Sequence, residues 1–313
     1  MATSNPFLYS ECLPAKTLAR TPEILKINGN NDPAILLIVR LLSGAIKVEH
    51  VSSSKSFLQK ENYFSSNFKG ISQKWDKLFP LLIAENYTSE DFAGFIEIAK
   101  QQNIVFYKNI LSELSYYFYY QSKGIHSSSF VYLYRALEHV SYALPLIYAS
   151  KAHDFTKTFI FLKNLMSGDK NAGELGFFKS FIKTVYADDA IFDSSIDFPM
   201  LLDTESEQKK AFTLLHELCK SDMIAESTDK PRLLSIKYTE VGSFIITIRN
   251  RFFHYMNGGA KNIETSNISD IDLLFSLVNK QCLYWLSTIT LAVITHSALE
   301  LDSIKTRLNN TAE

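Results

Sequence analysis

The residues best equipped for chemistry lie in one short run, Arg249-Asn250-Arg251-Phe252-Phe253-His254. A guanidinium fork suits the oxygens of a phosphate, and an imidazole titrates near neutrality, where it can take or give a proton. Together they could bind a phosphate and move a proton beside it. Helical spacing limits how they can cooperate. Asn250 and His254, four apart, share a face, and Arg251, three before His254, adjoins it. Arg249 is five before His254, about 140° round the helix. Arg249 and His254 therefore diverge from a single helix and meet only through a second copy or a bound ligand.

The element that must carry them reads as a helix over residues 239–256. Val241, Phe244, Ile245, Ile248 and Phe252 mark a buried face. Ser243, Thr247, Asn250, His254 and Asn257 run through it as a polar stripe. Asn257-Gly258-Gly259 is a helix stop, so His254 falls in the last turn, where the helix dipole favours imidazolium. The large apolar neighbours imply partial burial of the arginines and the histidine, which then need partners. Between residues 231 and 261 the basic side chains are Arg232, Lys237, Arg249, Arg251 and Lys261, against the single acid Glu240. In a chain with 32 Lys+Arg and 33 Asp+Glu this is a local positive patch, and the whole molecule is no general polyanion binder.

The chain of 313 residues is 46% hydrophobic and 21% charged, which is globular usage. Its 11 glycines and 8 prolines are too few for a turn-dense sandwich or barrel, so the expectation is mostly α. Helices are expected over 34–46 behind Pro33, over 71–83, and from the Thr88-Ser-Glu-Asp start signature to about residue 120. Others are expected over 127–144, 155–166, 175–186, 208–219 and 271–308. Strand-like alternation is confined to a short hairpin near 233–238. Residues 186–207 hold many acids and no Lys or Arg. They read as a solvated connection, with a cation site at Asp188, Asp189 and Asp193 as the alternative, although the spacing fits no cation loop. The tyrosine run 116–120 is either core or a base-stacking surface.

The most apolar stretch, residues 283–299, carries Ser, Thr and His. It falls short of the roughly 20 apolar residues of a spanning helix, so it reads as a core helix. Cys12, Cys219 and Cys282 fit no metal or disulfide spacing, and the first residues lack a signal-peptide pattern. A cytoplasmic protein without membrane, metal or cofactor is the expectation.

Upstream, Leu133, Leu137, Val140 and Leu144 give a core face, and Arg135, Glu138, His139 and Tyr142 a second stripe. The whole constellation is Arg-x4-His with a polar residue after the Arg, late in an apolar helix, with Tyr134-Arg135-x-x-Glu138 before it. It resembles the signature of the HEPN superfamily, and of Apea-like HEPN domains in particular, over roughly residues 115–313. The resemblance implies an all-α fold, with a HEPN-type helical bundle over 115–313 and a mainly helical region of unassigned role over 1–114.

It also implies a metal-independent endoribonuclease acting as a homodimer, with two such helices facing each other. Arg249 would then bind the scissile phosphate, His254 would move the proton as the 2′-OH attacks, and Asn250 would orient the pair. Arg251, Lys237 and Lys261 are candidates for the RNA backbone. Arg135 and Glu138 either line the same cleft or form an internal pair holding two helices together. HEPN nucleases commonly serve as toxins or abortive-infection effectors, which adds a sensor or antitoxin as a partner. Two other readings stand beside this one. One is a non-catalytic HEPN-like module that binds RNA or nucleotide or dimerises. The other is a helical scaffold in which Arg249 and His254 are structural.

Overall fold

The computed structural model describes residues 5–29, 31–150, 154–167, 173–185, 193–253, 262–264 and 270–311. The chain divides into two compact units, residues 1–123 with 286–313, and residues 124–285.

In the first unit, strand β1 (Phe7–Ser10) pairs with β2 (Ile46–His50), which pairs with β3 (Lys55–Gln59), all antiparallel. Alternation sets the faces: Phe7 and Tyr9 of β1, and Ile46 and Val48 of β2, are buried while their neighbours are not. The turn between β2 and β3 uses Ser54 in the left-handed region, φ 51°, where a glycine would be the usual signal. Helix α1 (Ala15–Leu18) is a single turn. Helix α2 (Ala34–Leu42) is buried from Ile35 to Leu42 and packs on α5 (Ile104–Gln121). The expected helix over 71–83 breaks into short turns around α3 (Trp75–Leu78), with Pro80 opening the last. Helix α4 (Ser89–Ala99) starts at Thr88, whose hydroxyl accepts from Asp91 N–H at 3.1 Å while the Asp91 carboxylate accepts from Thr88 N–H at 3.0 Å.

Arg40 is the unusual core residue of this unit. It is 0% exposed, its guanidinium pairs with Glu11, and its Cζ lies 4.8 Å from the Trp75 ring centroid. Glu11 is itself anchored by the N–H groups of Cys12, Leu13 and Ile27.

The second unit opens with α6 (His126–Ser141), α7 (Ala143–Ser150), α8 (Phe155–Ser167) and α9 (Gly173–Val185). A second antiparallel sheet follows, in the order β4 (Ser195–Pro199), β6 (Arg232–Lys237), β5 (Ile224–Asp229), with α10 (Glu205–Leu218) between β4 and β5 in the chain. Helix α11 (Val241–Phe253) comes directly after β6 and a 3-10 turn. Helix α12 (Ile271–Thr311) begins in this unit and from Leu286 onward belongs to the first, where Ile289, Val293, Ile294 and Ala298 are buried. Over Ile271–Leu301 it is long and apolar enough to cross a membrane; an 18-residue window within it has a mean hydropathy of 1.4, and 56% of that window is buried in the protein.

The all-α expectation is therefore corrected. The protein is about 62% helical and also carries two small three-stranded antiparallel sheets. The strands are four to six residues long, and none buries more than two apolar side chains, too few to stand out as a period-two pattern. β4 lies inside the acid-rich stretch read as a connection; Asp188 and Asp189 of the alternative cation site fall outside the described residues.

Removing one partner of a buried ion pair strands the other charge. Glu11→Ala is therefore expected to lower the unfolding free energy by about 3–5 kcal/mol, read by denaturant titration.

Candidate functional site

Helix α11 forms because Val241, Phe244, Ile245 and Ile248 recur at helical spacing, and all four are buried. Its start is held closely. Trp285 Nε1 donates to the Tyr238 carbonyl at 3.0 Å, and a Cβ on Gly242 would stand 3.0 Å from the Trp285 ring. Just before the helix, the buried Glu240 carboxylate pairs with Lys183 and lies 3.9 Å from Lys179. The far end of α11 is thereby aimed by a fixed base.

Helix α6 meets α11 in three successive rungs. Leu137 and Ile246 line one small void. Next, the Arg249 Cζ lies 4.7 Å from the centroid of the Tyr134 ring. One turn further, the Phe130 and Phe253 rings are parallel to within 7°, their centroids 6.2 Å apart. Each step is three or four residues on both helices and runs in opposite senses, so the two pass antiparallel. Phe275 of α12 packs against Phe130, Phe252 and Phe253 and closes the cluster from the side.

The Arg249 Nη1 donates to Asn250 Oδ1 at 2.9 Å, so the neighbouring amide and the Tyr134 ring together fix the guanidinium. Burial pushes the Tyr134 hydroxyl up to about 12; the Arg249 charge pulls the other way, and the hydrogen bond to Glu138 adds to the rise. Tyr134 is thus neutral at physiological pH, and it presents the electron-rich face that a cation prefers. Arg249 is partly exposed, and among the described residues no carboxylate pairs with it. A cation seated but not neutralised is what an anionic ligand requires.

The other residues singled out by the sequence distribute unevenly. His254 and Lys261 lie outside the described residues. Arg251 is half-buried, and its carbonyl accepts from Ile263 N–H at 2.9 Å, tying the returning chain to the helix end. Glu138 reaches Arg249 indirectly, through the Tyr134 hydroxyl. Arg135 is exposed, one residue and so about 100° round α6 from Tyr134. Lys237 is exposed at the end of β6. The eight residues from Val241 to Arg249 put it roughly 12 Å down the helix axis from the guanidinium, so the structure does not bring these two together.

Two features escaped the sequence reading: Tyr134 as the seat of Arg249, and the pairing of Phe130 with Phe253. The spacings were legible, since Phe130 and Tyr134, and Arg249 and Phe253, are each four apart. Which helix faces which was not.

Other chemistry has little purchase. Burial raises the Cys12 thiol to about 11 and Cys219 to about 12, and drives Cys282 higher, so none is a ready thiolate. Among the described residues no group of three His, Cys, Asp or Glu side chains is placed to hold a metal. The chain matches no protein-family model, no curated protein and no solved structure.

Because the folded-state value of Tyr134 lies above its unfolded value of about 10, its contribution to stability is complete below that pH and disappears as pH rises toward 12. Urea unfolding between pH 9 and 12 (a range of order set by those values) should show stability falling with pH, and falling less steeply in Tyr134→Phe.

Proposed function

We propose that this protein is a metal-independent endoribonuclease of the HEPN reaction type, with its site at the end of α11. The observation that supports this reading best is the seated Arg249, which pairs with no carboxylate among the described residues and is fixed by Asn250 within the Arg-x4-His run.

In the proposed reaction the non-bridging phosphodiester oxygens lie on the Arg249 fork, which offsets the negative charge that builds on them. The ribose 2′-oxygen attacks phosphorus and its proton passes to an imidazole. The bond from phosphorus to the 5′-oxygen breaks, and that oxygen takes up a proton. The products are a 2′,3′-cyclic phosphate and a 5′-hydroxyl end. His254 is the residue proposed to move the proton. Because the five-residue spacing of Arg249 and His254 corresponds to about 140° in helical geometry, the working site is proposed to combine Arg249 of one copy with His254 of another. Arg251 and Lys261 would serve the flanking RNA backbone. Lys237, at the other end of the helix, would serve only a longer RNA. A nuclease of this kind suits a toxin or a defence effector, held inactive by a sensor or antitoxin until needed.

Purified protein should cleave total RNA in EDTA and leave 2′,3′-cyclic phosphate ends. Arg249→Ala is expected to lower kcat about 100- to 1,000-fold, and His254→Ala about 100- to 10,000-fold. Mixing the two inactive variants should restore part of the activity, because one composite site then has both groups intact. No cleavage by the wild type, or cleavage untouched by Arg249→Ala, defeats the proposal. Activity that survives in a strict monomer defeats the shared site alone.

A further inference from the structure

Arg249 and Phe253 are four residues apart on α11 and so share one helix face. The ring of Phe253 lies parallel to that of the fully buried Phe130, with 6.2 Å between centroids, and it also packs on Phe252 and Phe275. It is nonetheless 39% exposed. Three aromatic neighbours thus hold the ring while part of it stays open to solvent. The result is a partly open aromatic ring, held by its neighbours, about 6 Å along the helix from the Arg249 guanidinium.

We propose that Phe253 is a stacking platform for a nucleobase next to the scissile phosphate, and that the site therefore takes unpaired nucleotides. The inference rests on the nuclease reading above and adds to it the part of the substrate that the helix end grips. With a phosphate on Arg249, the base of an adjoining nucleotide is within reach of the Phe253 ring. A base inside an A-form duplex has both faces covered by its neighbours, so only a flipped or single-stranded base can use the platform. Every base has a π-face, so the contact selects for strandedness and not for sequence. Phe130 then supports the platform, as Tyr134 supports the guanidinium, and one face of α6 seats both halves of the nucleotide.

The test uses the full chain and short RNAs of one sequence in three forms: single-stranded, in duplex, and single-stranded with an abasic ribose on either side of the cleaved bond. The abasic substrates leave the wild-type protein untouched, so no folding defect can imitate the result. Phe253→Leu keeps an apolar side chain against Phe130 and Phe275 but removes the ring face, and Phe253→Trp enlarges it. The expected result is cleavage of the single strand and little or none of the duplex. The abasic substrate on the stacked side and Phe253→Leu should each raise KM roughly tenfold, which is the scale of one lost base stack, with kcat within about twofold. Phe253→Trp should match the wild type or bind more tightly. Equal cleavage of duplex, wild-type KM for both abasic substrates, or wild-type KM for Phe253→Leu overturns the platform and leaves the nuclease reading standing. If the wild type cleaves none of the RNAs while Arg249→Ala changes nothing, the nuclease reading itself fails and takes the platform with it.

Discussion

The second unit depends on the antiparallel contact of α6 with α11, and within it on a guanidinium resting on a phenol ring. A partly buried arginine with no carboxylate partner among the described residues is a liability, because its charge has lost water without gaining a described counterion. The Tyr134 face offsets some of that loss, on the order of 1–2 kcal/mol for a cation–π contact removed from solvent. The Asn250 amide takes one of its hydrogen bonds. Neither partner neutralises the charge. The position stays cationic and accurately placed, and a salt bridge would have given up the first property to gain the second.

Placement comes from apolar packing on either side of that contact. Below it, Leu137 and Ile246 continue the register. Above it, the parallel rings of Phe130 and Phe253, with Phe275 against them, fix how far α11 can rotate or slide. At the far end, the bond from Trp285 to the Tyr238 carbonyl and the absence of a side chain at Gly242 set how close α12 and α11 lie. Glu240, buried between Lys179 and Lys183, joins the helix start to α9 by charge. Three helices thus hold the helix that carries the proposed chemistry, each by a different kind of force.

Much of this was legible in the sequence at the level of single elements. The apolar periods of α6 and α11, the capping box at Thr88 and the long final helix all follow from local rules. The strands were not legible. β1, with Phe7 and Tyr9 inward, is too short to register, and the Ser-rich turn between β2 and β3 bends at Ser54 without a glycine to announce it. β4 hides Ile196 and Phe198 among acids that read as solvent-facing. The neighbours of Arg249 on the partner helix were not legible either. An i, i+4 spacing says which side chains share a face, whereas the face opposite is set by how the elements pack. The same limit explains Lys237, close to the site in sequence and far from it along the helix.

The chain leaves the first unit at Lys123 and returns to it at Leu286 within one unbroken helix, so the second unit is an insertion in the sequence of the first. On the ribosome, β1 to α5 emerge while the segment that buries Ile289, Val293 and Ile294 is still untranslated, whereas every residue of the inserted unit is made before that segment. Vectorial synthesis therefore lets the inserted part mature first and leaves the flanking part waiting, incomplete, for its own C-terminal piece.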